Sequence, residues 1–218
     1  MTAMWSVLSA LFIAALWGMQ AFLNHKEITL SFWAVGWLRS LRRPLFVSRN
    51  RGCTMDFTIE KMKIEDWDAV QAIYREGITT GHATFETEAP EWEAWDRSHL
   101  HGCRLVARAG DQVIGWAALS PVSSRCVYTG VAEVSVYVVA AARGQGVGKA
   151  LLQALIEESE RVGIWTLQAS IFPENVVSIA LHKACGFREV GYRERIGQMN
   201  GVWRDTVLME RRSKTVGI

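Results

Sequence analysis

Residues 132–148 read AEVSVYVVAAARGQGVG, and this stretch decides the fold class. Its first half, Ala132–Val139, is rich in β-branched side chains and predicts a buried strand. Its second half ends in the glycine-rich turn Arg143–Gly148, and residues 147–162 then carry leucine and isoleucine at helical spacing. A strand, a glycine-rich turn and a helix in this order predict an α/β domain.

The glycine-rich turn is a candidate anion site. The N-terminus of a helix has N–H groups without partners and a partial positive charge, and glycines let the backbone approach an anion closely. The spacing differs from that of nucleoside triphosphate loops and from that of dinucleotide-binding turns. The turn therefore predicts a phosphate cradle of another kind, while a purely structural turn stays open as the alternative.

Further strands and helices are predicted on both sides of this stretch. Gly110-Asp111 separates two apolar runs and predicts a hairpin, and Gly186 stands where a helix usually ends. The predicted strands cover residues 57–62, 104–109, 113–119, 164–172, 187–196 and 202–210, and the predicted helices begin near Asp66, Pro90 and Glu174.

Residues 1–54 are predicted to be an N-terminal extension. Residues 4–23 are almost continuously apolar and long enough to span a hydrocarbon core. Five arginines follow between residues 39 and 51, which would put the C-terminal side of an anchor in the cytoplasm. Two alternatives stay open, namely translation that begins naturally at Met55 and a helix packed on the protein. We expect a cytoplasmic protein that meets a membrane only through residues 4–23.

Charge and cysteine usage exclude several classes of function. Residues 1–54 carry a net charge of +5, so the rest of the chain carries −3 of the total of +2. An acidic main domain gives no indication of nucleic-acid binding. The four cysteines form no CxxC pair and lie near no histidine cluster, so we expect reduced thiols and no metal site.

The turn RGQGVG directly after a V-x-V strand resembles the GNAT superfamily of acyl-CoA-dependent N-acetyltransferases. Within it, the chain is similar to the phosphinothricin and methionine-sulfone acetyltransferase group through residues 73–87, 132–138, 178–187 and 201–209. The resemblance covers residues 55–212 and leaves a tail of residues 213–218. It implies an α/β fold with a mixed central sheet, a splay between the two middle strands, and helices on both faces.

The resemblance also implies acetyl-CoA as cosubstrate, with no metal. In that family the diphosphate lies on the N–H groups of the glycine-rich turn, the pantetheine arm pairs with the preceding strand, and the next helix adds contacts. An ordinary helix cap is the alternative for the asparagine of that helix. The corresponding residues here are Val136, Tyr137, Val138, Arg143, Gly144, Gln145, Gly146, Val147, Gly148, Lys149, Asn175 and Ser178.

Glu133 is the predicted general base, because it matches the glutamate of the family's E-x-S-V-Y-V pattern, and a glutamate that faces outward from the strand is the alternative. The attacking amine is protonated at neutral pH, and a carboxylate beside the thioester can accept that proton. A backbone N–H near Val136 would polarise the thioester carbonyl. His182 is the second candidate, either as the acid that protonates the thiolate or as a packing residue. Tyr137 and Tyr192 are further hydroxyl candidates.

The acceptor pocket is assigned by family position. An arginine that holds a carboxylate bidentately would be Arg75 or Arg125, and a solvated surface charge is the alternative for each. Val134 stands where the group often has histidine, and residues 120–126 lack a tryptophan-arginine pair. Both differences argue against phosphinothricin itself as the acceptor. The predicted acceptor residues are Arg75, Thr84, Phe85, Ser123, Ser124, Arg125, Glu133, Val134 and Ser135.

The function that this resemblance implies is acetyl transfer from acetyl-CoA to the amine of a small amino acid or analogue, of phosphinothricin or methionine-sulfone type. One alternative keeps the chemistry but uses a protein N-terminus or lysine as acceptor. Another is a non-catalytic acyl-CoA-binding module. Relatives form homodimers, so we expect a homodimer here.

Overall fold

The computed structural model describes residues 55–218 and the backbone of residues 46–48. Twelve strands and helices carry the fold of these residues. The strands are β1 (Phe46–Ser48), β2 (Phe57–Lys61), β3 (Arg104–Ala109), β4 (Gln112–Pro121), β5 (Val131–Val138), β6 (Thr166–Ile171), β7 (Arg188–Met199) and β8 (Val202–Arg212). The helices are α1 (Trp67–Thr79), α2 (Trp92–Ser98), α3 (Val147–Arg161) and α4 (Val176–Ala184).

The eight described strands form one mixed sheet in the order β1-β2-β3-β4-β5-β6-β8-β7. All neighbours are antiparallel except β5 and β6, which are parallel and pair only over residues 131–133 and 166–168. Beyond Glu133 the two strands diverge and leave a wedge-shaped opening in the middle of the sheet. The predicted mixed sheet with a splay between its middle strands is confirmed.

Helices cover both faces of the sheet. Leu105 packs in one buried cluster with residues of α3, whereas its neighbour Val106 packs in a second cluster with Trp67 and Trp95 of α1 and α2. Successive side chains of a strand point to opposite faces. The α3 layer and the α1–α2 layer therefore lie on opposite sides of the sheet, as the sequence predicted.

Aromatic rings connect the α1–α2 layer to β5. The Trp116 ring stacks on the Tyr137 ring at a centroid distance of 4.7 Å, and Tyr74 of α1 meets the same tyrosine at 4.9 Å. Gly77 lies in the last turn of α1, and a Cβ there would lie 2.6 Å from Cδ1 of Tyr137. A glycine at this position lets α1 approach β5 and fixes the direction of the Tyr137 ring.

Both ends of the domain contain features that the periodicity did not indicate. Residues 46–48, which belong to the predicted extension, pair antiparallel with Phe57–Ile59 as an edge strand. Ser213 of the C-terminal tail is buried, and its hydroxyl donates to Glu160 of α3 at 2.9 Å. β7 is longer than predicted and continues to Met199, so the turn before β8 is Asn200-Gly201.

The apolar stretch 4–23 lies outside the described residues, and so do the five arginines that follow it between residues 39 and 51. Within the described part of the chain, no helix is both long and apolar enough to cross a bilayer.

Candidate active site

A cavity of about 260 Å³ opens where β5 and β6 diverge. Its walls come mainly from the two splayed strands, helix α4 and the loop that follows α1, and Tyr74 of α1 and Ser120 of β4 complete them. The lining residues are Tyr74, His82, Ala83, Thr84, Phe85, Ser120, Glu133, Val134, Ser135, Val136, Tyr137, Ala169, Ser170, Ile171, Phe172, Asn175, Ser178 and His182.

The edge of β5 that faces the cavity offers backbone hydrogen-bonding groups. The Val139 N–H donates to the Ile114 carbonyl at 3.1 Å, on the β4 side of the strand. Because peptide groups alternate sides along a strand, the N–H and C=O groups of Val134 and Val136 point the other way, into the splay. In the described residues β6 pairs with β5 only as far as Glu133. An extended ligand arm could pair with this edge like an added strand.

Glu133 lies at the fork of the splay. It is opposite Ser120 on β4 and is the last β5 residue to pair with β6, where it is opposite Gln168. Its side chain is half-buried and lines the cavity. A carboxylate in this position is open to a ligand on one side and fixed by two neighbouring strands on the other.

His182 contributes a buried imidazole ring to the cavity. Its ring is 4 % exposed, and Nδ1 lies 2.8 Å from the Ser178 carbonyl oxygen, so Nδ1 carries a proton and donates it to that oxygen. Burial lowers the pKa of His182, which favours the neutral ring. Nε2 is buried and has no hydrogen-bond partner among residues 55–218. Nε2 therefore accepts a proton or a hydrogen bond, and a role as the acid for a thiolate would first require protonation of a buried ring.

Three hydroxyl groups line the cavity on the α1 side. Burial raises the pKa values of Tyr74 and Tyr137, so both phenols stay protonated and can donate hydrogen bonds. The Tyr137 hydroxyl donates to the Ala83 carbonyl at 3.5 Å, and Thr84 lines the same cavity as both tyrosines. This wall suits the oxygen atoms of a polar ligand.

The glycine-rich turn forms the start of α3. Gly144 and Gly146 have φ angles of +74° and +82°, which glycine adopts without strain. Gly146 caps the helix, and its carbonyl accepts from the N–H of Ala150. The N–H groups of residues 147–149 precede the first helical hydrogen bond and so have no acceptor within the helix. N–H groups of this kind, at the positive end of a helix dipole, can bind an anion.

Arg143 and Glu76 hold this turn against the end of β5. The Arg143 guanidinium lies 3.1 Å from a Glu76 carboxylate oxygen, and its Nε donates to the Val138 carbonyl at 3.1 Å. The same oxygen of Glu76 accepts from the N–H of Ala140 at 2.7 Å. The cradle is therefore fixed at the end of the strand whose edge is open to the cavity.

Asn175 connects α4 to the loop that covers the cavity. Its side-chain oxygen accepts from the Ser178 N–H at 3.1 Å as a helix cap, and its amide nitrogen donates to the His82 carbonyl at 3.2 Å. Phe85 of the same loop meets Phe172 at 4.8 Å between ring centroids. Residues 82–85 thus form a roof that is attached to α4 and β6.

The structure brings part of the predicted site together. Arg75 is exposed on α1, and Ser123, Ser124 and Arg125 lie in the loop after β4, so none of these four lines the cavity. The residues of the turn, Arg143–Lys149, lie next to Val138 and outside the cavity. The predicted residues that do line the cavity are Thr84, Phe85, Glu133, Val134, Ser135, Val136, Tyr137, Asn175, Ser178 and His182.

Sequence reasoning missed other residues of the cavity. Residues 169–172 could have been found, because ligands bind at the carboxyl ends of parallel strands and β6 is the parallel neighbour of β5. His82 and Tyr74 lie within a stretch that was quoted only for its resemblance. Arg204 of β8 lies within residues 201–209, which carry the resemblance, but nothing in that stretch indicates its contact with the roof, 122 residues away in the chain.

Comparison with known proteins agrees with this geometry. Residues 67–187 match the acetyltransferase (GNAT) family. The chain is 35% identical over 165 residues to a phosphinothricin N-acetyltransferase of Alcaligenes faecalis, which covers 71% of this chain and 81% of that protein. It is 30% identical to an L-methionine sulfoximine/L-methionine sulfone acetyltransferase of Pseudomonas aeruginosa, over 72% of this chain and 94% of that protein.

A solved structure of a GNAT superfamily phosphinothricin acetyltransferase from Sinorhizobium meliloti, in complex with acetyl-CoA, has the same fold. It superposes with a TM-score of 0.67 at 33% identity and covers 74% of this chain and 90% of its own. The family match spans more than half of the chain and includes β5, the glycine-rich turn and α4. The chain belongs to the acetyltransferase (GNAT) family.

Proposed function

We propose that this N-acetyltransferase transfers the acetyl group of acetyl-CoA to the amine of a small amino acid or amino-acid analogue, of the methionine-sulfone or phosphinothricin type. The observation that carries the proposal is the cavity of about 260 Å³ with Glu133 at the fork of the splay and residues 82–85 as its roof. A roofed cavity of this size favours a small acceptor over a protein N-terminus or a lysine side chain. The names of the relatives support the same class of acceptor.

Three features of the chain fit acetyl-CoA. The N–H groups of residues 147–149 suit a diphosphate, and the open edge at Val134 and Val136 suits the amide groups of an extended arm. His182 Nε2 is a buried acceptor without a protein partner. Acetyl-CoA would supply an activated acetyl thioester at this site. Within residues 55–218, no group of three or more His, Cys, Asp or Glu side chains is placed to hold a metal ion.

Two groups of the chain act on the reaction in this proposal. Glu133 accepts a proton from the ammonium group of the acceptor, directly or through a water molecule, and so releases the nucleophile. The Val136 N–H, which points into the splay, donates a hydrogen bond to the acyl oxygen as negative charge develops there. His182 accepts a hydrogen bond from a bound ligand through Nε2, and its neutral ring adds no charge to the side of α4 that faces the cavity.

The test is a thiol-release assay with acetyl-CoA and a panel of acceptors that contains methionine sulfone, phosphinothricin, unmodified amino acids and a lysine-containing peptide. Release of CoA with one or more of the small amino acids, and not with the peptide, is the expected result. Release with the peptide alone would favour the protein acceptor, and CoA binding without release in any mixture would favour a binding module.

The homodimer remains part of the proposal. β7 is an edge strand, and large apolar side chains of the β7–β8 hairpin are exposed, among them Tyr192, Ile196, Val202 and Trp203. Exposed edges and apolar patches of this kind mark contact surfaces. Light scattering should give twice the mass of the chain, and Trp203→Asp should shift it toward the mass of a single chain.

A further inference from the structure

Arg204 of β8 lies against the cavity wall. Its guanidinium carbon is 4.2 Å from the centroid of the Phe172 ring, and Nη1 donates to the Gly81 carbonyl at 3.2 Å. Nη2 lies 3.5 Å from Nδ1 of His82. Phe172 and His82 both line the cavity, so a side chain outside the lining touches two of its members. The position is at the open end of the splay, because Val207 pairs with Ile171 at the end of β6 and Arg204 lies beyond it.

The charge of Arg204 is largely shielded from water and only weakly paired. Its side chain is 13% exposed, and the nearest carboxylate oxygen, that of Glu174, is 3.4 Å from Nη2. The Glu174 side chain is 55% exposed. A buried charge is costly unless it is paired at close range, whereas an exposed glutamate can turn into solvent at little cost. A carboxylate therefore already occupies the place where a ligand oxyanion would be stabilised.

The cavity itself has the opposite charge. Glu133 is the one carboxyl group among its described lining residues, and within residues 55–218 no lysine or arginine lines it. An amino-acid acceptor brings at least one oxyanion into this cavity, and that group needs a cation that can form short paired hydrogen bonds. Arg75 and Arg125 lie away from the lining, while Arg204 touches it.

We propose that Arg204 binds an oxyanion of the acceptor, and that Glu174 takes its place when the cavity contains no acceptor. The inference rests on the proposed function, since it assigns the acceptor subsite of the same cavity. The oxyanion is either the α-carboxylate or an acidic group at the end of the acceptor side chain. Arg204 would then select acceptors by charge at the open end of the splay.

The experiment compares kcat/KM of the full chain and of Arg204→Gln for three acceptors. Methionine sulfone has a carboxylate and a neutral side chain, phosphinothricin has a carboxylate and an acidic side chain, and 3-(methylsulfonyl)propylamine has neither oxyanion. The kcat/KM of Arg204→Gln should fall about 10- to 100-fold for the acceptors that carry the relevant oxyanion, chiefly through a higher KM. For the plain amine, kcat/KM should hardly change. Loss for both amino acids identifies the carboxylate, and loss for phosphinothricin alone identifies the side-chain group.

Equal losses for all three acceptors would overturn the inference, because Arg204 would then only hold the roof at Gly81. Arg204→Lys should retain part of the selectivity, and Glu174→Gln should lower KM for the anionic acceptors without changing it for the amine. KM values for the anionic acceptors that are unchanged in both Arg204→Lys and Glu174→Gln would also contradict the inference. Arg97→Gln, on the exposed side of α2, is the matched control and should behave as the unaltered chain.

Acetyl-CoA titration calorimetry of each variant separates folding from recognition. An Arg204→Gln protein that binds acetyl-CoA normally and loses selectivity supports the inference. If the unaltered chain acetylates none of the three acceptors, the proposed function fails first. If it acetylates them and Arg204→Gln retains the full preference for the anionic ones, only the assignment of Arg204 fails.

Discussion

At the scale of single residues, Glu133 marks the point at which β5 stops pairing with β6. A strand that loses its neighbour exposes backbone groups, and the last paired side chain is then held beside a new opening. Glu133 is in this place because Gln168 is opposite it on one side and Ser120 on the other. The backbone that carries this carboxylate is therefore held by two neighbouring strands.

The variant Glu133→Gln tests this role. The amide has the same shape but accepts no proton at neutral pH, so turnover should fall by roughly 10²- to 10⁴-fold while acetyl-CoA binds as before. Steady-state thiol release and calorimetry measure the two quantities. Glu60→Gln, a half-buried carboxylate on β2, is the control and should leave turnover unchanged. Equal turnover in Glu133→Gln and the unaltered chain would remove Glu133 from the mechanism.

His182 gives a prediction about pH. Burial lowers its pKa below the ordinary value of 6.5, so the unfolded chain takes up a proton at a higher pH than the folded protein. The contribution of the neutral His182 ring to the free energy of unfolding is complete above pH 6.5. It is lost as the pH falls through 6.5 and then through the lowered pKa of the folded state, by at most about 1.4 kcal/mol per pH unit. In His182→Gln this contribution disappears. Urea unfolding at pH 7.5, 6.5 and 5.5 should give a flatter dependence for the variant, and parallel curves would show that the ring is not buried as a neutral group.

At the scale of elements, the turn that begins α3 combines a positive φ with a cluster of N–H groups. Gly146→Asp adds backbone strain and a negative charge, whereas Gly146→Asn adds the strain with almost the same shape and no charge. The two variants should differ by about 10-fold or more in acetyl-CoA affinity, with the aspartate weaker, because a carboxylate repels a diphosphate at close range. Calorimetry at two salt concentrations measures the difference. Equal affinities would mean that no anion binds at the start of α3.

The elements that carry a strong local pattern could be predicted from the sequence. The β3–β4 hairpin follows from Gly110-Asp111, and Asn175 caps α4 where an asparagine before an apolar run is expected. β1 was missed because three residues have no measurable period, and its pairing with β2 is a tertiary contact. The length of β7 was underestimated, since Arg195 has a φ of +48° and the register shifts between Arg193 and Gly197, which interrupts the alternation.

The candidate site also has parts that could be predicted from the sequence and parts that could not. The strand and the glycine-rich turn are continuous in sequence, so their residues could be assigned together. The roof and Arg204 come from parts of the chain that meet only in the folded protein, and a charged side chain on an exposed hairpin resembles a solvated one in sequence. The contact of Arg204 with the roof is therefore the part of the candidate site that only the structure indicates.

At the scale of the whole molecule, the described residues that line the cavity and form both clusters against the sheet all lie within residues 55–218. A chain shortened to begin at Met55 should therefore stay soluble and bind acetyl-CoA with unchanged affinity. It loses the three-residue pairing of β1 with β2, so a small loss of unfolding free energy is expected. Calorimetry and urea unfolding measure both quantities. An insoluble product would show that the residues before Met55 are needed for folding.

A second property of the whole molecule is the separation of the anion cradle from the cavity. The cradle is at the start of α3, the fork is at Glu133, and the open edge of β5 lies between them. An extended cosubstrate that bridges them would hold its reactive end in the cavity whatever the acceptor. The transfer chemistry would then be set by the sheet, and the choice of acceptor by the roof and the hairpin.

A crystal structure of this protein with acetyl-CoA tests the central claim most directly. The account predicts diphosphate oxygens on the N–H groups of residues 147–149, the pantetheine arm along the edge of β5, and the acyl oxygen about 3 Å from the Val136 nitrogen, with Glu133 facing the acetyl group. Acetyl-CoA bound away from the splay, or with its diphosphate far from the start of α3, would contradict it.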